Sequence, residues 1–204
     1  MTALGPLIAE IQSCRICADR FAATETAHKP RPVVRVRKHA PVLIIGQAPG
    51  ARVYESGIPF DDRSGDRLRD WLGVERDAFY DRDLFSIMPM AFCFPGYDAR
   101  KSDLPPPPIC AKTWHKELRA ELAPEITLLV GGYAQKREFG SAAKGGVTAT
   151  VSAWRDHAPR RFPLPHPSWR NTGWIRKNPW FEAELLPELR QRVKEVLYAK
   201  RNSD

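Results

Sequence analysis

Four cysteines, one His-Pro-Ser triplet and a glycine-cornered turn are the parts of this 204-residue sequence best suited to chemistry. Cys14 and Cys17 form a C-x2-C pair, and Cys93 and Cys110 flank a proline-rich stretch, FPGYDARKSDLPPPP (94–108). Four thiolates suit a structural zinc ion or an iron–sulfur cluster, and metal-free thiols suit an apolar interior. His166 stands in LPHPS (164–168). An imidazole there can donate a hydrogen bond to an oxygen on which charge develops, although a His among prolines is more commonly a plain loop residue. In GQAPG (46–50), Gly46 and Gly50 let backbone approach a ligand and Pro49 stiffens the turn. The turn is not a dinucleotide fingerprint, and Ala51-Arg52 stand where a P-loop needs Lys and Ser or Thr. Phe60 and the carboxylates Asp61 and Asp62 follow in SGIPFDDRSG (56–65).

These groups need elements to hold them. Near-continuously apolar runs at PVLIIG (41–46), LFSIMPM (84–90) and ITLLVGG (126–132), with RRFPLPHPS (160–168) as a strand entering a loop, predict four strands covered on both faces. Helices are expected over 3–15, over 64–73 (opened by Ser64 and closed by Gly73), over 110–122, from about Tyr133, over 147–156, and from Asn178-Pro179 to about Tyr198. Residues 140–146 read as a glycine-rich loop and 27–38 as a basic, extended segment. Strands alternating with helices predict a three-layer α/β/α sandwich around a mainly parallel four-stranded sheet, one domain over 1–204. In such sheets ligands bind beyond the carboxyl ends of the strands. GQAPG, MPMAFCFPG and PLPHPS are the expected rim.

The formal net charge of +8 favours a polyanionic partner, nucleic acid before an anionic membrane surface. The apolar runs are too short to cross a bilayer. Residues 1–11 carry no basic and apolar signal pattern, so a cytoplasmic location with reduced thiols is expected.

GQAPG, SGIPFDDRSG and LPHPS, in this order and with the four cysteines in place, resemble the uracil-DNA glycosylase superfamily, and most closely its bacterial and archaeal iron–sulfur branch. The resemblance spans residues 14 to 168. It implies a monomeric repair enzyme that flips uracil out of DNA and hydrolyses its N-glycosidic bond. It implies a structural [4Fe–4S] cluster on Cys14, Cys17, Cys93 and Cys110, with structural zinc as the alternative. His166 would hold the departing uracil anion. Phe60 would stack on the flipped base, lined also by Gly46 and Ala48. Pro167 and Ser168 would meet the DNA backbone, Trp169 or Arg170 would fill the gap left by the base, and Arg176 and Lys177 would face phosphates. Asn171 and Trp174 belong to the same basic and aromatic segment.

Three positions depart from the branch's pattern. Gln47 replaces its Glu, Ala48 stands where other branches carry Asp or Asn, and Pro89 replaces the Asn that pairs with the uracil edge. Gln47 can orient a water but cannot act as a base. Asp62 or Asp61 is therefore the expected source of negative charge beside the sugar, against the plainer reading of a solvated or helix-capping pair. The departures also leave open a DNA binder without turnover, or a glycosylase for another deaminated base. A small-molecule enzyme holding a phosphate at GQAPG is a further alternative.

Overall fold

A computed structural model describes residues 3–202; Met1, Thr2, Ser203 and Asp204 of the expected domain lie outside the described residues. Four parallel strands, β1 (Val42–Ile45), β2 (Phe85–Ile87), β3 (Ile126–Val130) and β4 (Arg161–Leu164), form one sheet in the order β2-β1-β3-β4. The helices are α1 (Leu4–Ser13), α2 (Ala18–Ala22), α3 (Ala51–Ser56), α4 (Arg63–Leu72), α5 (Arg76–Phe79), α6 (Pro108–Ala120), α7 (Gly132–Phe139), α8 (Gly146–Ser152), α9 (Thr172–Lys177) and α10 (Leu186–Arg201).

Alternation along the central strand explains the three layers. Val42 and Ile44 point into a core shared with Leu68 and Trp71 of α4 and Leu189 and Val193 of α10. Leu43 and Ile45 point the other way, to Ile11 of α1 and Leu118 of α6. Both faces are thus apolar, as a buried parallel sheet requires.

β4 lies at an edge, which is why Pro163 is tolerated in it. The opposite edge is covered. Arg35, in the basic extended segment, exchanges backbone hydrogen bonds with Ile87 of β2, so that strand offers no open ladder there.

The four-stranded α/β sandwich is as expected. Several boundaries differ. β2 stops at Ile87, before Pro89, which has no N–H to continue a ladder. Asp62, not Ser64, caps α4: its side chain accepts from the Gly65 N–H at 2.8 Å. Gly73 closes that helix at φ 65°, as expected. The expected last helix begins as a wider π turn over Phe181–Leu185 before α10. The glycine-rich loop contains a 3-10 turn at Gly140–Ala143. α2, α3, α5 and α9 were not anticipated; each is six residues or shorter and too brief to show a periodic apolar face.

Candidate active site

β3 separates β1 from β4, so loops leaving those two strands must meet across the end of β3. That end is bare. Gly131, at φ 87°, follows Val130, and a Cβ built on it would lie 3.7 Å from the His166 side chain. His166 therefore reaches over Gly131 towards the turn that follows β1. One pocket gathers Gly46, Gln47, Ala48, Phe60, Asp62 and His166, with Pro89 in its wall. Three chain segments singled out in the sequence thus converge beyond the strand carboxyl ends, where open α/β sheets bind ligands.

The protonation of His166 follows from its partners. Its Nδ1 accepts the Ser168 N–H at 3.2 Å. Burial pushes its pKa below the ordinary His value, while the charge of Asp62 acts in the opposite sense. The ring is therefore neutral near pH 7, with its proton on Nε2. Asn171 fixes the backbone beneath it by donating from Nδ2 to the His166 carbonyl at 2.7 Å. Such a ring donates one hydrogen bond and places no full positive charge in the pocket.

Phe60 stands at φ 56°, a left-handed conformation in which bulky residues are strained. Its ring lies against Gly46, where a Cβ would be only 3.2 Å away, and meets Phe79 edge-on. The GQAPG turn is itself anchored: Gly46 and Gln47 accept through their carbonyls from Met90 N–H at 2.9 Å and Ala91 N–H at 3.2 Å. Pro89 presents no polar side chain, and its carbonyl is hydrogen-bonded to His115 Nε2 at 3.0 Å.

The two carboxylates separate. Asp62 lines the pocket while capping α4, so the plain role and the active one fall on the same residue. Asp61 pairs with Arg76 at 2.9 Å and is not among the residues that line the pocket. The hydrogen bond from Arg76 holds the Asp61 carboxyl below the usual range.

Around the mouth, Pro167 is buried and Ser168 half-buried. The Ser168 amide is taken by His166, and its hydroxyl oxygen accepts from the Arg170 N–H at 3.3 Å. Only the hydroxyl hydrogen of Ser168 is left to meet a phosphate. Trp169 is 68% exposed beside Arg170, whereas Trp174 packs against Trp180 and Phe181. Arg176 and Lys177 are exposed in the last turn of α9. Sequence reasoning missed Arg67. From α4 it donates to the Ser168 carbonyl at 3.0 Å and the Thr172 hydroxyl at 3.1 Å, clamping this loop to the helix that begins at the pocket. Its partners lie 101 and 105 residues away, so no local pattern could reveal it.

All four cysteines line a second, largely apolar cavity with Ile11, Phe92 and Trp114. Among the described residues, no three His, Cys, Asp or Glu side chains converge closely enough to hold a single metal ion. Burial pushes Cys93 up to about 12 and Cys110 up to about 11, with the other thiols adding to the effect. Amide N–H groups oppose it: the Phe92 N–H donates to Cys110 Sγ at 3.4 Å, and Arg31 donates from its backbone to Cys93. Met88, Met90 and Phe92 are buried in the core, as expected.

A parallel sandwich that brings a neutral donor, a flat ring and a backbone turn to one slot beyond the strand ends has the site architecture of an α/β enzyme. The family model described as the Uracil DNA glycosylase superfamily matches residues 34–190. The chain belongs to that superfamily and is accordingly a glycosylase-type hydrolase acting on DNA. The matched span holds the whole sheet, the rim and all of the pocket lining but Val33, together with Cys93 and Cys110, but begins after Cys14 and Cys17. No helix among the described residues is long and apolar enough to cross a membrane.

Proposed function

We propose that this protein removes uracil from DNA as a monomer, leaving an abasic site. The observation that carries the reading is the meeting of His166, Phe60 and the Gly46–Ala48 turn in one pocket. The uracil stacks on Phe60, and His166 Nε2–H donates to the oxygen that gains charge as the glycosidic bond breaks. Asp62 supplies negative charge for the electron-poor sugar, and Gln47 orients the attacking water. Trp169 or Arg170 occupies the space left by the base, with the Ser168 hydroxyl, Arg176 and Lys177 against the backbone.

The thiol cavity fits a [4Fe–4S] cluster held by Cys14, Cys17, Cys93 and Cys110. Four thiols face one apolar space, and two of them receive amide N–H groups. Structural zinc on the same four thiols is the alternative. Cys14 and Cys17 of the N-terminal arm, Cys93 after β2 and Cys110 of α6 would hold the cluster, which would supply a cross-link between these segments rather than any step of the hydrolysis.

A second reading rests on Pro89. It brings no side-chain donor or acceptor to the base edge, and its carbonyl is engaged by His115. Another deaminated base would suit a pocket read through Gln47 and the main chain.

The test is base release from DNA carrying uracil, hypoxanthine or xanthine, using protein purified without air and scanned for iron–sulfur absorbance. Uracil release is expected, with His166→Ala slower by roughly 10²–10³-fold in kcat. Tight binding without an abasic product identifies a binder, and release of another base identifies the second reading. Colourless, folded, iron-free protein refutes the cluster.

A further inference from the structure

The strained backbone of Phe60 raises the question of what holds it, and the answer lies outside the pocket. Gly65 comes so close that a Cβ on it would lie 1.8 Å from the Phe60 carbonyl oxygen. Only a glycine permits this contact. Tyr80 donates its hydroxyl to the Pro59 carbonyl at 3.0 Å. Arg69 is buried, its side chain only 8% exposed, and its Nη1 reaches both the Phe60 carbonyl and the Tyr80 hydroxyl at 3.4 Å. Its Nη2 is fixed by Asp66 at 2.5 Å, and its guanidinium lies over the rings of Phe79 and Tyr80. The carbonyls of two consecutive residues, 59 and 60, are thus engaged by the side chains of a helix and of the turn after α5. The ring of Phe60 is wedged meanwhile between Gly46 and Phe79.

We propose that Gly65, Arg69 and Tyr80 are positioning residues that lock Phe60 in its left-handed conformation and so set the stacking plane for the extruded base. None of the three lines the pocket. The inference rests on the stacking role of Phe60 given above. A left-handed Phe in a free loop would relax, since bulky residues at positive φ persist only where surroundings over-determine them. The lock removes that relaxation, so the ring is in place before the base arrives.

A double-mutant cycle tests this, with whichever base the wild type releases from the panel above. Tyr80→Phe deletes one oxygen and keeps the ring, so the chain should fold. In the wild-type background it is expected to lower kcat and weaken inhibition by the free base, each by about fivefold, while affinity for abasic DNA stays within about twofold. In a Phe60→Ala background the same change is expected to do nothing further. Gly65→Ala should reproduce the Tyr80→Phe result more severely; if it does not fold, Arg69→Lys takes its place. Equal losses in both backgrounds, or none in either, overturn the lock. Release of a base other than uracil overturns only the uracil specificity, because the cycle is then read with that base.

Discussion

Asp62 carries two tasks that a single substitution can pull apart. Its carboxylate caps α4 and also faces the pocket that holds His166. Asn caps helices about as well as Asp does. Asp62→Asn therefore keeps the cap and removes the charge. Thermal stability should stay within a few degrees while kcat falls, by roughly 10²-fold if the charge assists bond breaking. A variant that melts like the wild type and turns over like it would return Asp62 to a purely capping role, leaving Gln47 as the water-orienting group. At this scale much was legible. The types and order of Gly46, Phe60 and His166 pointed to one pocket, and the fold brings them there. That Asp62 and not Asp61 lines the pocket was not legible, because it depends on Arg76 lying within reach of Asp61.

Among the elements, the segment leaving β2 is held by a histidine that the pocket never sees. His115 of α6 is buried, bonded to the Pro89 carbonyl, and pulled down to about 4 by its burial. The unfolded chain takes up that proton near the ordinary value of about 6.5. The contribution of His115 is therefore complete above about pH 6.5 and lost as the pH falls towards 4. Stability measured by denaturant should decline across that window, and His115→Gln should flatten the decline. Equal slopes for both proteins would show that other groups dominate. The strands and long helices could be read from the sequence because their apolar periods are strong. α3 could not, since GQAPG gives no sign that a helix opens at Gly50. The cap of α4 was misplaced by two residues because Ser64 and Asp62 are both good caps, and only the Gly65 amide decides between them.

Across the whole molecule, the excess of eight positive charges should appear as salt-sensitive binding. Each phosphate contact contributes about 0.9 to the slope of log affinity against log salt on duplex DNA. Neutralising Arg176 and Lys177 together should reduce that slope by about 1.8 if both touch phosphates. An unchanged slope would move the DNA track elsewhere, with the basic stretch 27–38 as the next candidate. Composition predicted the polyanionic partner, but not the track. Arg35 and Arg37, which belong to that stretch, are partly spent on the protein itself, one on the Tyr80 carbonyl and the other on Asp83.

Residues 88–93 leave little slack between two distant-looking features. Met90 and Ala91 suspend the turn after β1, Phe92 touches a thiol through its amide, and Cys93 supplies another. From Met90 to Cys93 is three peptide steps, about 10 Å of chain at most. A shift of the sulfur atoms is therefore expected to be felt at the turn after β1. The expected consequence is that damage at the thiols alters the pocket while the sheet stays folded.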